Sequence, residues 1–403
     1  MAQLSLFILA ICSFTPKIAY SGAYHDDFNQ FNLRNEYSKS EVSVEASGHE
    51  TVRDHVFRET AAGLATRVDL MKKDRAPPDH DHEVVFAVQQ QNLEELTRIL
   101  HDISDPDSEN YGQHKTREMI EELTSNPTSR EAILKCLLVV GATVTSESIY
   151  GEYITARAPI AVWESLFDTE FFSFHHSKAG TERVTEVMRA ERYSVPKDLH
   201  EHVASVFHTV QMPLAIWGRP IMELVENYTS SIQHLAVTGV VTPPLLNSYY
   251  SINSNTGSLK ASQAVFETIG QYFSPDDLQG FQQYYGLPEQ PVSTFIGGHV
   301  SDTICTTSPE TCMEANLDVQ YMMAVCQKSP TTHWYTDENS FSNWLMAVAN
   351  NRSPPSVISI SYGASEGTVT ASELNAFNTQ AIKLGAMGIT VLAASGGKLI
   401  FTD

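Results

Sequence analysis

The chain has 403 residues, enough for roughly two or three domains, and its 42% hydrophobic and 18% charged content is ordinary for a globular protein. Its formal net charge is −22 and its pI about 5.0, which argues against nucleic acid as a partner, because phosphate binding needs clustered Lys and Arg. An acidic balance fits a protein that works where acid protonates part of that charge.

The first element is an apolar run from Leu4 to Phe14. It is too short to span a bilayer and suits a signal-peptide core. Ala19 and Ser21 are spaced for cleavage before Gly22, so residues 1–21 are expected to be a signal peptide and the protein secreted, lysosomal or vacuolar. No later run is long and apolar enough for a membrane span. Cleavage would remove Cys12 and leave Cys136, Cys305, Cys312 and Cys326. Cys305 and Cys312 flank a loop rich in Thr, Ser and Pro and are placed to form a small disulfide in an oxidising compartment. No cysteine spacing suggests zinc.

Residues 22–79 are polar without sustained periodicity and read as a weakly ordered leader. From residue 80 the pattern changes. Residues 82–88 predict a strand, and 92–103 a helix with Leu93, Leu96, Ile99, Leu100 and Ile103 on one side. A turn follows at 104–108, then helices near 117–123 and 130–140. Strands are expected near 142–144, 153–156 and 170–174, with a helix at 159–166. This alternation predicts a small α/β sandwich, ferredoxin-like, over 80–213. Its histidines His175, His176, His200, His202 and His208 are candidates for a cluster that charges near pH 6. Plain surface positions are the commoner fate of such residues.

Residues 214–240 read as a linker and 241–403 as a second domain. Residues 264–269 predict a strand. Ser274-Pro275-Asp276-Asp277 is a helix start, with Ser as cap, Pro at the first position and an acid three residues after the cap. Residues 356–361 form a β-branched strand closed by Tyr362-Gly363; 372–384 form a helix stopped by Gly385; 388–394 form another apolar strand. Apolar strands separated by helices imply a parallel sheet covered on both faces, whose chemistry lies beyond the carboxyl ends of its strands. Tyr362-Gly363 and Ser395-Gly396 occupy those ends.

Between these segments lies a predicted helix, 313–324, with two carboxylates four residues apart. At 3.6 residues per turn Glu314, Leu317, Asp318, Tyr321, Met322 and Val325 share one face. Most acid pairs at this spacing belong to a solvated face. Here the neighbours are apolar, and like charges there repel and are costly to bury. A helix keeps such a pair when one carboxyl is held neutral or works as a base.

In these residues the chain resembles the sedolisins, or serine-carboxyl peptidases. The first half resembles their activation prodomain at Asp105-Pro106, Asn110-Tyr111-Gly112, Glu164-Ser165-Leu166-Phe167 and Arg192-Tyr193-Ser194-Val195-Pro196. The second half resembles the N-terminal part of their subtilisin-like catalytic domain. The matching pieces are Gln271-Tyr272-Phe273-Ser274-Pro275, the helix from Glu314 to Tyr321, Phe341 with Trp344-Leu345, Ser361-Tyr362-Gly363, and Gly388 through Gly396. The resemblance implies an acid serine-carboxyl peptidase zymogen with serine-type endopeptidase or tripeptidyl-peptidase activity on peptides or proteins, restrained by an intramolecular prodomain. It makes Glu314 the general base for a serine nucleophile and Asp318 the residue that orients Glu314. A carboxylate stays partly ionised in acid where an imidazole would be fully protonated.

The chain departs from the family pattern at Gly397, where the resemblance calls for an oxyanion-hole Asp. The family's Ser-Gly-Thr-Ser nucleophile motif and its C-terminal calcium site are absent from these 403 residues. The expectation is a truncated catalytic domain that is inactive as written. Gly397-Lys398 can be encoded by GGT-AAG, which holds a splice-donor sequence, so 397–403 read as translated intron. The alternative is a non-catalytic secreted protein whose prodomain-like half binds or inhibits an active relative.

Overall fold

A computed structural model describes the protein over residues 54–177, 184–213, 241–336, 341–364 and 366–394. The expected signal peptide, the linker 214–240, Ser395-Gly396 and the divergent tail from Gly397 lie outside the described residues.

The N-terminal half begins with strands β1 (His55–Thr60), β2 (Leu70–Arg75) and β3 (Asp81–Val88), then helices α1 (Leu93–Ser104), α2 (Arg117–Thr124) and α3 (Pro127–Val140). It continues through β4 (Thr143–Glu147), β5 (Tyr153–Pro159), α4 (Ile160–Phe167), β6 (Phe171–Ser177), β7 (Val184–Ala190), β8 (Arg192–Pro196), the short α5 (Lys197–His200) and β9 (Val203–Phe207). Its main sheet is antiparallel in the order β4-β5-β3-β9, beside a three-stranded sheet β2-β6-β7 and the pair β1-β8. Residues 54–79, read from sequence as leader, thus include two strands. Both lie at sheet edges and bury no residue fully, β2 exposing most of its side chains, so they carry no alternating apolar signal. Local signals do place α3. The Asn126 side chain accepts a hydrogen bond from Ser129 N at 3.1 Å, Pro127 fills the first turn, and Gly141 ends the helix at φ 75°.

The second half comprises α6 (Pro243–Tyr249), β10 (Gln263–Glu267), α7 (Pro275–Tyr284), β11 (Thr294–Ile296), α8 (Asp302–Thr307), α9 (Met313–Val325), β12 (Thr331–Tyr335), α10 (Phe341–Ala349), β13 (Val357–Ile360), α11 (Ala371–Ala386) and β14 (Thr390–Ala393). Its five strands are all parallel, in the order β11-β12-β10-β13-β14. The fold class is therefore α/β, with a mixed first half and a parallel sheet in the second. The central strand β10 ends at Glu267, and its register aligns that residue with Tyr335 at the end of β12.

The two halves share a core. On one face of the antiparallel sheet Val84, Phe86 and Val88 pack against Ile133 and Leu137 of α3 and Trp163 and Phe167 of α4. On the other face Val85, Ala87, Tyr153 and Phe207 join Trp344, Leu345 and Val348 of α10 and Leu384 of α11. Strand β3 is thus buried on both faces, which is why its sequence is a continuous apolar run and not an alternation. The contact extends at its rim. Glu59 accepts from Ser372 N at 2.9 Å and from Ser372 Oγ at 2.6 Å, and Lys115 N donates to Ala386 O at 2.8 Å.

Candidate active site

Helix α9 is held at its N-terminus from three directions. Cys312, the residue before the helix, is joined to Cys305 of α8 by a disulfide. Glu314 N donates to Gln271 Oε1 at 3.2 Å. Asn316 accepts from Ser274 N at 2.9 Å and donates to Asp277 Oδ2 at 2.7 Å, which ties α9 to the capped start of α7. The buried stripe of α9 runs through Ala315, Val319, Met322 and Met323 into the core formed by Val265 and Phe273. Glu314, Leu317, Asp318 and Tyr321 are half-buried beside that stripe, so the acids sit at its margin and not at its centre. The helical projection grouped the residues correctly, but the neighbouring elements cover the side of α9 next to that face.

Asp318 is partly open as a residue, yet its carboxyl oxygen Oδ2 is closed off from solvent without a hydrogen-bond partner among the described residues. Burial, reinforced by the Glu314 charge, pushes its pKa up to about 8; hydrogen bonds with Ser361 and Glu267 oppose the rise. Burial also raises Glu314. Glu267 is 0% exposed at the end of β10, and burial, then the Asp318 charge, holds its pKa well above the ordinary carboxylate range. Tyr362, just beyond β13, donates from its hydroxyl to Glu267 Oε2 at 2.6 Å. Glu267 Oε1 is a further buried oxygen without a partner of the ordinary donor type. Two facing carboxyls with orphaned oxygens are satisfied together by a proton held between them.

The site is therefore a line of three carboxyls, Glu267, Asp318 and Glu314, running from the closed interior to the half-open end of the line. They lie at the carboxyl end of a parallel sheet, where such folds place their chemistry. The innermost two are kept protonated well above the usual range, and Glu314 is left as the member with access to an incoming proton. A carboxyl whose pKa is raised is a stronger base when it ionises. The structure brings Glu314 and Asp318 together as the sequence predicted. Glu267 was missed, although an acid closing the apolar strand Ala264-Val265-Phe266 was a visible signal. Tyr362 was noted for its place at a strand end, and it enters the site as the donor to Glu267.

The histidines do not form the expected cluster. His176 faces Asp69 at 3.2 Å, His200 Nδ1 lies 3.2 Å from Arg58, His202 Nδ1 lies 3.0 Å from Ser129 Oγ, and His208 is buried at the junction of the halves. Among the described residues no group of three or more His, Cys, Asp or Glu stands together that could hold a metal, and no helix is long and apolar enough to cross a membrane.

Comparison with known proteins agrees with this architecture. Residues 69–212 match the model of the pro-kumamolisin activation domain. The chain is 30% identical over 339 residues to tripeptidyl-peptidase 1 of Macaca fascicularis, 29% identical over 339 residues to that of Homo sapiens, and 28% identical over 337 residues to that of Mus musculus. The chain is a relative of the sedolisin family. Each alignment covers 80% of this chain but 57% of the relative, so the chain spans little more than half the length of the peptidases it matches. Residues 69–212, which match that activation domain, pack within the same chain against the second half.

Proposed function

We propose that this chain is the zymogen portion of an acid serine-carboxyl peptidase, in which Glu314 is the general base and Asp318 orients it. The observation that carries this reading is the buried line Glu267–Asp318–Glu314, with Tyr362 closing its inner end. In this mechanism Glu314 takes the proton of a serine hydroxyl as the serine attacks the peptide carbonyl. Asp318, protonated through most of the acid range, donates to the Glu314 carboxylate and fixes its direction. Glu267 and Tyr362 hold Asp318 in place from behind. Burial of the inner groups keeps their proton from leaking to water, so one ionised oxygen faces the nucleophile. The substrates are peptides or proteins, and 54–213 acts as the activation prodomain. The Cys305–Cys312 disulfide supports a secreted, lysosomal or vacuolar setting.

The test is Glu314→Gln in a form of the protein that carries a serine motif after the second half. Turnover at pH 4 should fall about a thousandfold or more, as loss of a general base does. Near-unchanged cleavage would remove Glu314 from the mechanism. The match of residues 69–212 to an activation domain also fits a second reading, a non-catalytic protein that binds an active relative. Sequencing cDNA across codon 397 separates the two: a downstream exon encoding Ser-Gly-Thr-Ser supports the peptidase, and transcripts that all stop after Asp403 support the binder.

A further inference from the structure

Four charges are sealed between the two halves. Lys383 of α11 is 0% exposed, and its Nζ donates to Glu121 Oε1 at 3.2 Å and to Glu152 Oε1, both in the N-terminal half. Arg117 completes the group. Its Nη2 lies 2.9 Å from Glu121 Oε1 and 2.7 Å from Glu152 Oε2, and its guanidinium stands 4.9 Å from the centre of the Tyr150 ring. On α11, one turn before the lysine, Gln380 Nε2 lies 3.3 Å from Glu152 Oε1 and 3.3 Å from Tyr153 Oη. With the halves docked, two cations face two carboxylates and the charges cancel. Without α11, one arginine remains against two glutamates, and the face carries one net negative charge.

We propose that Arg117, Glu121 and Glu152 form a charge-matched socket through which the N-terminal half recognises its partner. The partner it fits is a helix bearing a lysine with a glutamine three residues before it, supplied here by Lys383 and Gln380. This rests on the reading of the N-terminal half as a prodomain. The physical case is one of selection more than of strength. Moving ions out of water costs several kcal/mol each, and their mutual attraction roughly repays it. A complete quartet therefore adds little affinity. A quartet missing one member leaves a buried, unpaired charge, which is strongly unfavourable. The apolar contacts of Phe207 and Leu384 would accept many helices, whereas the socket rejects any helix that lacks the cation.

The experiment uses the full 403-residue chain at pH 7 and reads amide exchange along 371–386. Phe207→Ala first reports whether the halves are docked in solution, and it should speed exchange there at least tenfold. Lys383→Met should speed it about a hundredfold or more. Lys383→Met with Glu121→Gln keeps the cluster neutral and should recover most of that loss. Lys383→Met with Arg117→Met leaves two bare carboxylates and should be worse than Lys383→Met alone. Should Lys383→Met fail to fold, the two double variants alone decide, since the neutral one should be protected and the doubly negative one not. If the neutral pair is no better protected than the doubly negative pair while Phe207→Ala has its effect, the socket is overturned and the prodomain reading stands. No response to Phe207→Ala would overturn both.

Discussion

In the N-terminal half the buried titratable groups include two histidines, His82 and His208, whereas the second half has a line of three carboxyls running from the buried Glu267 to the half-buried Asp318 and Glu314. His82 Nε2 lies 2.9 Å from His208 O, and burial, then the Arg189 charge, holds both imidazoles down to a pKa of about 3. They stay neutral in the fold well into acid, while the unfolded chain protonates both near pH 6.5. Acid therefore works against the half that contains them. The carboxyls are displaced the other way: Asp318 is raised to about 8, so the folded second half holds a proton that the unfolded chain has released above pH 4. Acid favours that half. The same cost of burying charge thus gives opposite pH responses, because an imidazole pays by losing its proton and a carboxyl by keeping it.

The boundary between the halves softens this contrast above pH 4.5. Glu373 is raised to about 7 by burial, and Glu59 and Glu121 are raised by the same cause. Glu373 takes up a proton in the fold within the range in which the histidines refuse theirs, and Glu59 and Glu121 shift in the same direction. Below about pH 4.5 the unfolded acids are protonated as well, and the two histidines still differ between the states, as do carboxyls that the fold holds below their ordinary range, such as Asp69 beside Arg67. The N-terminal half should lose stability less steeply above about pH 4.5 than below it, where the two histidines cost up to about 2.7 kcal/mol per pH unit, the sum for two groups. Amide exchange of β3 and β5 from pH 7 to pH 3 measures this. His82→Gln with His208→Asn, the latter chosen because His208 has φ 64°, should flatten the acid limb. An unchanged limb would take the histidines out of the comparison.

A second effect sharpens the other side. Asp318→Asn removes the acid that must hold its proton. By linkage the wild-type group costs stability as pH rises from about 4 to about 8, and the variant should not. Relative to wild type, Asp318→Asn should therefore gain a few kcal/mol in urea unfolding between pH 4 and pH 8. A parallel pair of curves would mean that Asp318 titrates like a solvated aspartate.

How much of this was legible in the sequence follows from where each signal is stored. The apolar run of β3, the Ser274 cap and the Glu314–Asp318 spacing are local, and each element they predict is present. The strands β1 and β2 were not read, because as edges they bury too little to show a pattern. Glu267 was overlooked for a different reason. One glutamate after an apolar strand looks like a strand end until the parallel register sets it against Asp318 and Tyr362. The Lys383 quartet could not be read at all. Its members look like ordinary helix and loop charges, and Lys383 lies 231 residues from Glu152.

The account turns on a carboxyl line that keeps protons at neutral pH. The direct test is a carboxyl-carbon NMR titration of the wild-type chain from pH 3 to pH 9, with resonances assigned through Glu267→Gln, Asp318→Asn and Glu314→Gln. The account predicts that the Asp318 carboxyl is still protonated at pH 7 and titrates near 8, with Glu267 and Glu314 both displaced upward from the ordinary carboxylate range. If all three were ionised by pH 5, no shared proton would exist and the base-and-orienter reading of α9 would be contradicted.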